Sequence, residues 1–215
     1  MKKIDSQKVK ELYEKADSVW QDDNWYSYSR KMINKFIFES NLSKEDLILN
    51  AGSGGSTYNL SNKMQHLDIA ANKIESYENY TIGTIEDTPY VSNHFDCTIC
   101  VGSVINYVDA VKSISEIHRT LKQGGKLILE YDSSYGYEYL GTKAYKKDAE
   151  LISLKYYDEY NEQWVYSPRY IDNLLRSYGF KILRKKGFHI LGSLHFRFFQ
   201  NENKAARFDK FDHLL

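Results

Sequence analysis

The chain has 215 residues, 42% of them hydrophobic, enough for one sizeable domain with a buried core. Its 29 Lys and Arg balance 29 Asp and Glu, so no net positive field favours a nucleic-acid partner. No run of about 18 apolar residues offers a membrane span, and the basic start Met1-Lys2-Lys3 lacks the apolar stretch of a secretory signal, so a cytoplasmic protein is expected.

Val9, Leu12, Tyr13, Ala16, Val19 and Trp20 recur at helical spacing and predict a first helix over 5–20. Met32, Ile33, Phe36 and Ile37 predict a second at about 28–40. The polar and aromatic segment 20–30 between them reads as a lid over a ligand edge, or as a simple cap on the core.

Leu47, Ile48 and Leu49 form the short apolar run of a central parallel strand. Gly52, Gly54 and Gly55 follow at once. Without a Cβ, such a turn brings backbone close to a ligand, and free N–H groups at the next helix start would face it. A short helix is expected at 57–62. Met64 to Asp68 reads as a second strand ending in a carboxylate 14 residues past Gly54. An acid there can take both hydroxyls of a ribose; the competing role is an N-cap for a helix over 69–76.

Tyr80 to Ile82 is a minimal third strand and Phe95 to Val101 a fourth. Cys97 and Cys100 have C-x-x-C spacing, but in a strand they point to opposite faces, which favours buried thiols over a redox pair. Val108, Val111, Ile114, Ile117 and Leu121 predict a helix at 108–121, ended by Gly124 and Gly125, with a fifth strand from Lys126 to Tyr131. Strands alternating with helices build a parallel sheet whose ligand site lies beyond the carboxyl ends of its strands.

Residues 132–166 break the alternation and read as an insertion above that site, with a helical piece at 141–150. About half of the 19 tyrosines fall between 131 and 170. They suit a wet aromatic pocket or an interface, or reflect a compositional habit. Ser167 and Pro168 start a helix, which Gly179 stops. Strands are expected at 180–184 with 187–191, and again at 194–199. The organisation is thus a helical cap (1–40), a core (41–131), an insertion (132–166) and a closing segment (167–215) in a single domain.

Four items in order carry a resemblance: Leu47 to Gly55; His66-Leu67-Asp68; Phe95-Asp96 through Val101 to Tyr107; and Leu121 to Glu130 with its Lys122-Gln123-Gly124-Gly125-Lys126 turn. The chain resembles class I S-adenosylmethionine-dependent methyltransferases of the small-molecule bacterial type, from about Leu42 to Leu191. The resemblance implies an α/β Rossmann-like fold of about seven strands, order 3-2-1-4-5-7-6, with helices on both faces. The weak closing strand suggests a short or truncated carboxyl end. It also implies S-adenosyl-L-methionine as cofactor, S-adenosyl-L-homocysteine as product and a small-molecule acceptor methylated in line. The implied cofactor residues are Asn50, Ala51, Gly52, Ser53, Gly54, Asp68, Ile69, Thr84, Ile85, Glu86, Val101, Gly102 and Ser103. Asn50, Ser56 and Thr84 depart from the common pattern, and Glu86 would replace Thr84 at the adenine.

Methyl transfer needs a base only when the acceptor carries a proton to lose. His94, Tyr107, Asp132 and His189 are the candidates. Tyr26, Tyr107, Tyr131 and Trp164 are expected to line the acceptor pocket, and Arg30 is a candidate for the cofactor carboxylate. No metal is implied. Two other readings are a nicotinamide-dependent oxidoreductase on the same half-fold, disfavoured by Thr57 in place of a third glycine, and a non-catalytic binding module.

Overall fold

The computed structural model describes residues 2–15, 24–156 and 159–212. Five parallel strands form the main sheet in the order β3-β2-β1-β4-β5. They are β1 (Ile48–Ala51), β2 (Met64–Asp68), β3 (Tyr80–Ile82), β4 (Phe95–Cys100) and β5 (Leu121–Leu129). The order reverses at β1, which pairs with β2 on one side and β4 on the other. A crevice therefore opens beyond the carboxyl ends of β1 and β4.

The two faces are covered by different helices. Ile33 and Ile37 of α2 (Asn24–Phe38) pack on Ile48, Cys97, Ile99, Val101 and Ile128. On the other face, Ile114 and Ile117 of α4 (Ala110–Thr120) and Ile171 of α5 (Pro168–Ser177) pack on Leu49, Ala51, Phe95 and Cys100. Cys97 and Cys100 thus lie in opposite layers, both free. Burial pushes both thiols up to about 12, so neither is poised for redox chemistry.

The helix starts follow local chemistry. Asp109 caps α4 by accepting from Val111 and Lys112 N–H, and Ser167 caps α5 by accepting from Tyr170 N–H. The first helix is α1 (Ser6–Lys15); Ala16, Val19 and Trp20 of the predicted stripe lie outside the described residues, as does the 20–23 part of the expected lid. Residues 24–30 belong to α2.

Several expectations are corrected. Residues 57–62 form turns, not a helix, because Tyr58 and Asn59 take left-handed φ of 54° and 56°. The 69–76 helix shrinks to α3 (Ala71–Ile74). No helix forms at 141–150, where Gly141 and Lys146 have φ of 77° and 59°. A 3-10 turn (Tyr137–Tyr139) is followed instead by a hairpin of β6 (Ala149–Tyr156) and β7 (Glu159–Tyr166), separate from the main sheet. Residues 180–188 run without strand pairing, and 194–199 lies within α6 (Ile190–Phe199), followed by α7 (Glu202–Asp209). Strands six and seven of the expected sheet are therefore absent among the described residues. No described helix is long and apolar enough to cross a membrane.

Candidate functional site

The glycine turn after β1 is fixed by a small buried network. Asn50 Nδ2 donates to Ser56 O at 2.7 Å and Ser53 Oγ at 3.1 Å, while Tyr58 donates to Asn50 Oδ1 at 3.3 Å. Ser53 Oγ meets His66 Nδ1 at 2.6 Å, and His66 stacks on Tyr77. Asn50 thus fastens the turn from within, its side chain fully buried.

The turn needs its glycines. Gly52 has φ +69°, and a Cβ there would lie 2.2 Å from a Val104 methyl. Gly55 has φ +77°, and its Cβ would meet Lys73 O at 2.7 Å. The bare backbone faces a large cavity of about 2230 Å³. Eleven of the thirteen implied cofactor residues line it; Asn50 and Ala51 remain buried in β1.

Asp68 ends β2 beside this turn. Its Oδ2 accepts from Gly54 N–H at 2.7 Å and its Oδ1 from Ala70 N–H at 2.9 Å. Ala70, not Asp68, is the N-cap of α3. Burial pushes the Asp68 carboxyl up, and these N–H bonds oppose the rise. In the next loop, Glu86 Oε1 accepts from Asp109 N–H at 3.0 Å and Thr84 Oγ1 from Glu86 N–H at 3.2 Å. One Glu86 oxygen therefore already holds the start of α4.

Two acids mark the end of β5. Glu130 Oε2 accepts from Gly102 and Ser103 N–H at 2.7 and 2.8 Å, fixing the turn after β4, where Ser103 takes φ 59°. Asp132 accepts from Gln163 Nε2 at 2.7 Å. Asn106, fully buried, donates to Asp132 O and Trp164 O and accepts from Asp132 N–H, so one side chain joins the turn after β4, the end of β5 and the hairpin. Burial pushes both carboxyls up, and the Asp132 charge adds to the rise at Glu130. Glu138, close by, is pushed up to about 7 by burial and then by Asp132.

A carboxyl raised by folding binds protons more tightly in the folded state. Its contribution is greatest below the ordinary carboxylate range and is lost as pH rises through the raised value. Thermal denaturation should therefore show the melting temperature falling between about pH 5 and about pH 8. Glu130→Gln, which keeps an acceptor for Gly102 and Ser103, should flatten that fall. An unchanged slope would assign the dependence elsewhere.

The other candidates divide. Tyr26 and Tyr107 line the cavity, and Tyr107 meets Tyr13 of α1 edge-on at 6.0 Å. His189 and Asp132 also line it. Two candidates, His94 and Arg30, lie outside the cavity lining. His94 is exposed just before β4, at the opposite end of the sheet. Tyr131 and Trp164, by contrast, line the cavity while packing against the α4–α5 core. Arg30 is exposed on α2 and outside the cavity lining. Sequence reading missed Glu130, Asn106, Ser29 and Asp209. Only the position of Glu130, directly after the Leu127-Ile128-Leu129 strand, carried a signal.

Residues 47–129 match the family model of a methyltransferase domain. An uncharacterised protein of Methanocaldococcus jannaschii is 30% identical over 138 residues, which cover 56% of this chain and 59% of that protein. This chain thus matches well under two thirds of that relative's length. Among solved structures, a protein of Pyrococcus horikoshii superposes with a TM-score of 0.64 at 16% identity, covering 82% of this chain and 93% of that one. The 1,6-didemethyltoxoflavin-N1-methyltransferase of Burkholderia thailandensis, solved with 1,6-didemethyltoxoflavin and S-adenosylhomocysteine, gives 0.56 at 14% identity over 84% and 78% of the two chains. Residues 47–129 are thus similar to a methyltransferase domain, and the sheet order with its glycine turn is the Rossmann-like fold of these solved structures.

Proposed function

We propose that the protein transfers a methyl group from S-adenosylmethionine to a small-molecule acceptor. The observation that carries the reading is the pairing of Gly52–Gly54 with Asp68. A turn stripped of side chains faces the cavity, and a carboxylate is held beside it by Gly54 N–H. The residues fit the cofactor: Val104 packing keeps Gly52 free of a Cβ, and the backbone at Gly52 and Gly54 lines the cavity. Asp68 would hold the ribose, Ile69 and the 84–86 loop would border the adenine, and Val101 to Ser103 the sulfur end. When bound, the cofactor supplies an activated methyl group. The chain supplies position and a dry enclosure.

The small-molecule acceptor is favoured by enclosure. Lys2 pairs with Glu162 at 2.6 Å and Lys8 donates to Tyr160 O at 3.0 Å, so the segment before and within α1 reaches across to the β6–β7 hairpin. The Burkholderia methyltransferase, solved with 1,6-didemethyltoxoflavin, is in keeping with this. Calorimetric titration with S-adenosylmethionine, S-adenosylhomocysteine and NAD tests the reading. Micromolar binding of both adenosyl sulfur compounds and none of NAD is expected. Binding of NAD alone, or of none, would overturn it.

A further inference from the structure

We infer that Ser29, His189 and Asp209 form a proton relay serving a hydroxyl acceptor, an inference that rests on the methyltransferase reading. The three residues come from distant parts of the chain. Ser29 lies in α2, His189 immediately precedes α6, and Asp209 ends α7. His189 Nδ1 meets Asp209 Oδ2 at 2.5 Å and His189 Nε2 meets Ser29 Oγ at 2.7 Å. Ionised Asp209 only accepts, so it fixes the proton on Nδ1 and leaves Nε2 to accept from the Ser29 hydroxyl. Gly192 N–H donates to the other Asp209 oxygen at 3.1 Å, and Asp209 is fully buried.

The imidazole is also prepared for positive charge. The Trp25 ring lies flat on it, with centroids 3.7 Å apart and planes 4° apart. A cation over the indole face is stabilised by the ring quadrupole. Once Nε2 is protonated it donates to Ser29 Oγ, and the hydroxyl can turn to Trp25 O, 3.3 Å away. Every polar atom thus keeps a partner in both states. A mere clasp between α2 and α7 would need only one of them.

Ser29 is buried on the same face of α2 as Ile33 and Ile37, which pack on β1 and β4. Ser29 and His189 line the same cavity as Ser103 and Asp132. Asp132 follows β5, beside the turn where the methyl group would be delivered.

In the step, the acceptor O–H gives its proton to Ser29 Oγ while Ser29 passes its own to His189 Nε2. The acceptor oxygen forms the new bond to the methyl carbon as the carbon–sulfur bond breaks, its electron pair staying on sulfur. The imidazolium, balanced by Asp209, later releases the proton to solvent. Ser29 is then the catalytic residue, and His189 and Asp209 act through it. An amine or thiol, nucleophilic without such help, would not need the relay.

The test supplies S-adenosylmethionine with a tritiated methyl group and a panel of phenols, catechols and primary alcohols, matched by amines and thiols of similar size. Transfer to hydroxyl probes is expected, with a rate that falls on the acid side through one ionisation. Asp209, Asp212, Tyr28 and Asp132 are the titratable groups around that imidazole. Ser29→Ala and His189→Gln should lower kcat by about 10²–10⁴-fold, leave KM for the cofactor unchanged and abolish the acid limb. Ser29→Ala removes only a hydroxyl, so it reports even if His189→Gln unfolds. Unchanged kcat and pH profile in a folded Ser29→Ala protein would overturn the relay. So would transfer to amines or thiols alone, or binding of S-adenosylhomocysteine with no hydroxyl probe methylated. A protein that does not bind S-adenosylhomocysteine fails the methyltransferase reading instead.

Discussion

Gly52→Ala is expected to lower the melting temperature and to abolish measurable binding of S-adenosylhomocysteine. A Cβ at this position lies 2.2 and 2.6 Å from the two Val104 methyls and 2.9 Å from the Val104 Cβ itself. Rotating Val104 moves its methyls but not its Cβ, so the backbone of one turn must shift. The residue must also keep φ +69°. Left-handed backbone costs an alanine about 1–2 kcal/mol, and overpacking of this kind typically costs about 1–3 kcal/mol. The destabilisation should therefore reach about 2–5 kcal/mol, large against the whole stability of a domain. Any backbone shift moves the turn that the cofactor would approach. Gly52→Ala with Val104→Ala separates the causes in part: it removes the two methyl collisions and leaves the Cβ–Cβ contact of 2.9 Å and the strained φ. The double variant should regain more stability than the two changes would predict if independent, with a coupling of about 0.5–3 kcal/mol. A Gly52→Ala protein that melts and binds as the wild type would remove the turn from the site.

What could be read from the sequence was local. The Leu47–Leu49 run, the glycines behind it, His66-Leu67-Asp68 and the α4 stripe each announce an element through neighbours in the chain, and each lies in the main sheet or against it. The same local evidence misled where two periods fit a short segment. Leu194 to Phe199 alternates well enough for a strand, yet it belongs to a helix whose buried face is Gly192 and Ser193, packed against Asp209. Phe198 and Phe199 remain exposed there. Within 132–166 the expected helix at 141–150 gives way to turns, because the left-handed residues Gly141 and Lys146 interrupt what composition alone presents as a helix.

The contacts that organise the site were illegible for a different reason. Ser29 and His189 are 160 residues apart, and nothing beside Ser29 distinguishes it from any helical serine. Asn106 reaches Asp132 and Trp164 only because the turn after β4 brings three segments together. Conversely, His94 has suitable chemistry at an unsuitable position. The direction of β4 puts it at the wrong end of the sheet. Residue type nominates a candidate; strand direction and register decide whether it reaches the reaction.

Asp68 tests the cofactor site most directly, because its carboxylate has two separable duties. It accepts N–H groups from Gly54 and Ala70, which holds the turn against β2. In the proposed complex it would also accept from the ribose hydroxyls. Accepting one N–H does not exhaust an ionised carboxylate oxygen, so both duties are compatible. Asp68→Ala removes both, while Asp68→Asn keeps one oxygen acceptor and loses the charge. Charge-assisted bonds are worth about 1.5–3 kcal/mol, so Asp68→Ala should weaken S-adenosylhomocysteine binding about tenfold to a hundredfold. Asp68→Asn should weaken it by a similar factor while losing less thermal stability, since an amide oxygen still meets Gly54 N–H. Thermal shift separates the duties within one experiment. At a ligand concentration of about 100 times Kd, the wild type gains about 2.7 kcal/mol, and both variants at that same concentration should gain clearly less. If Asp68→Ala lost stability but kept wild-type affinity, the carboxylate would be a fastener of the turn alone, and the ribose would have to be held by other residues.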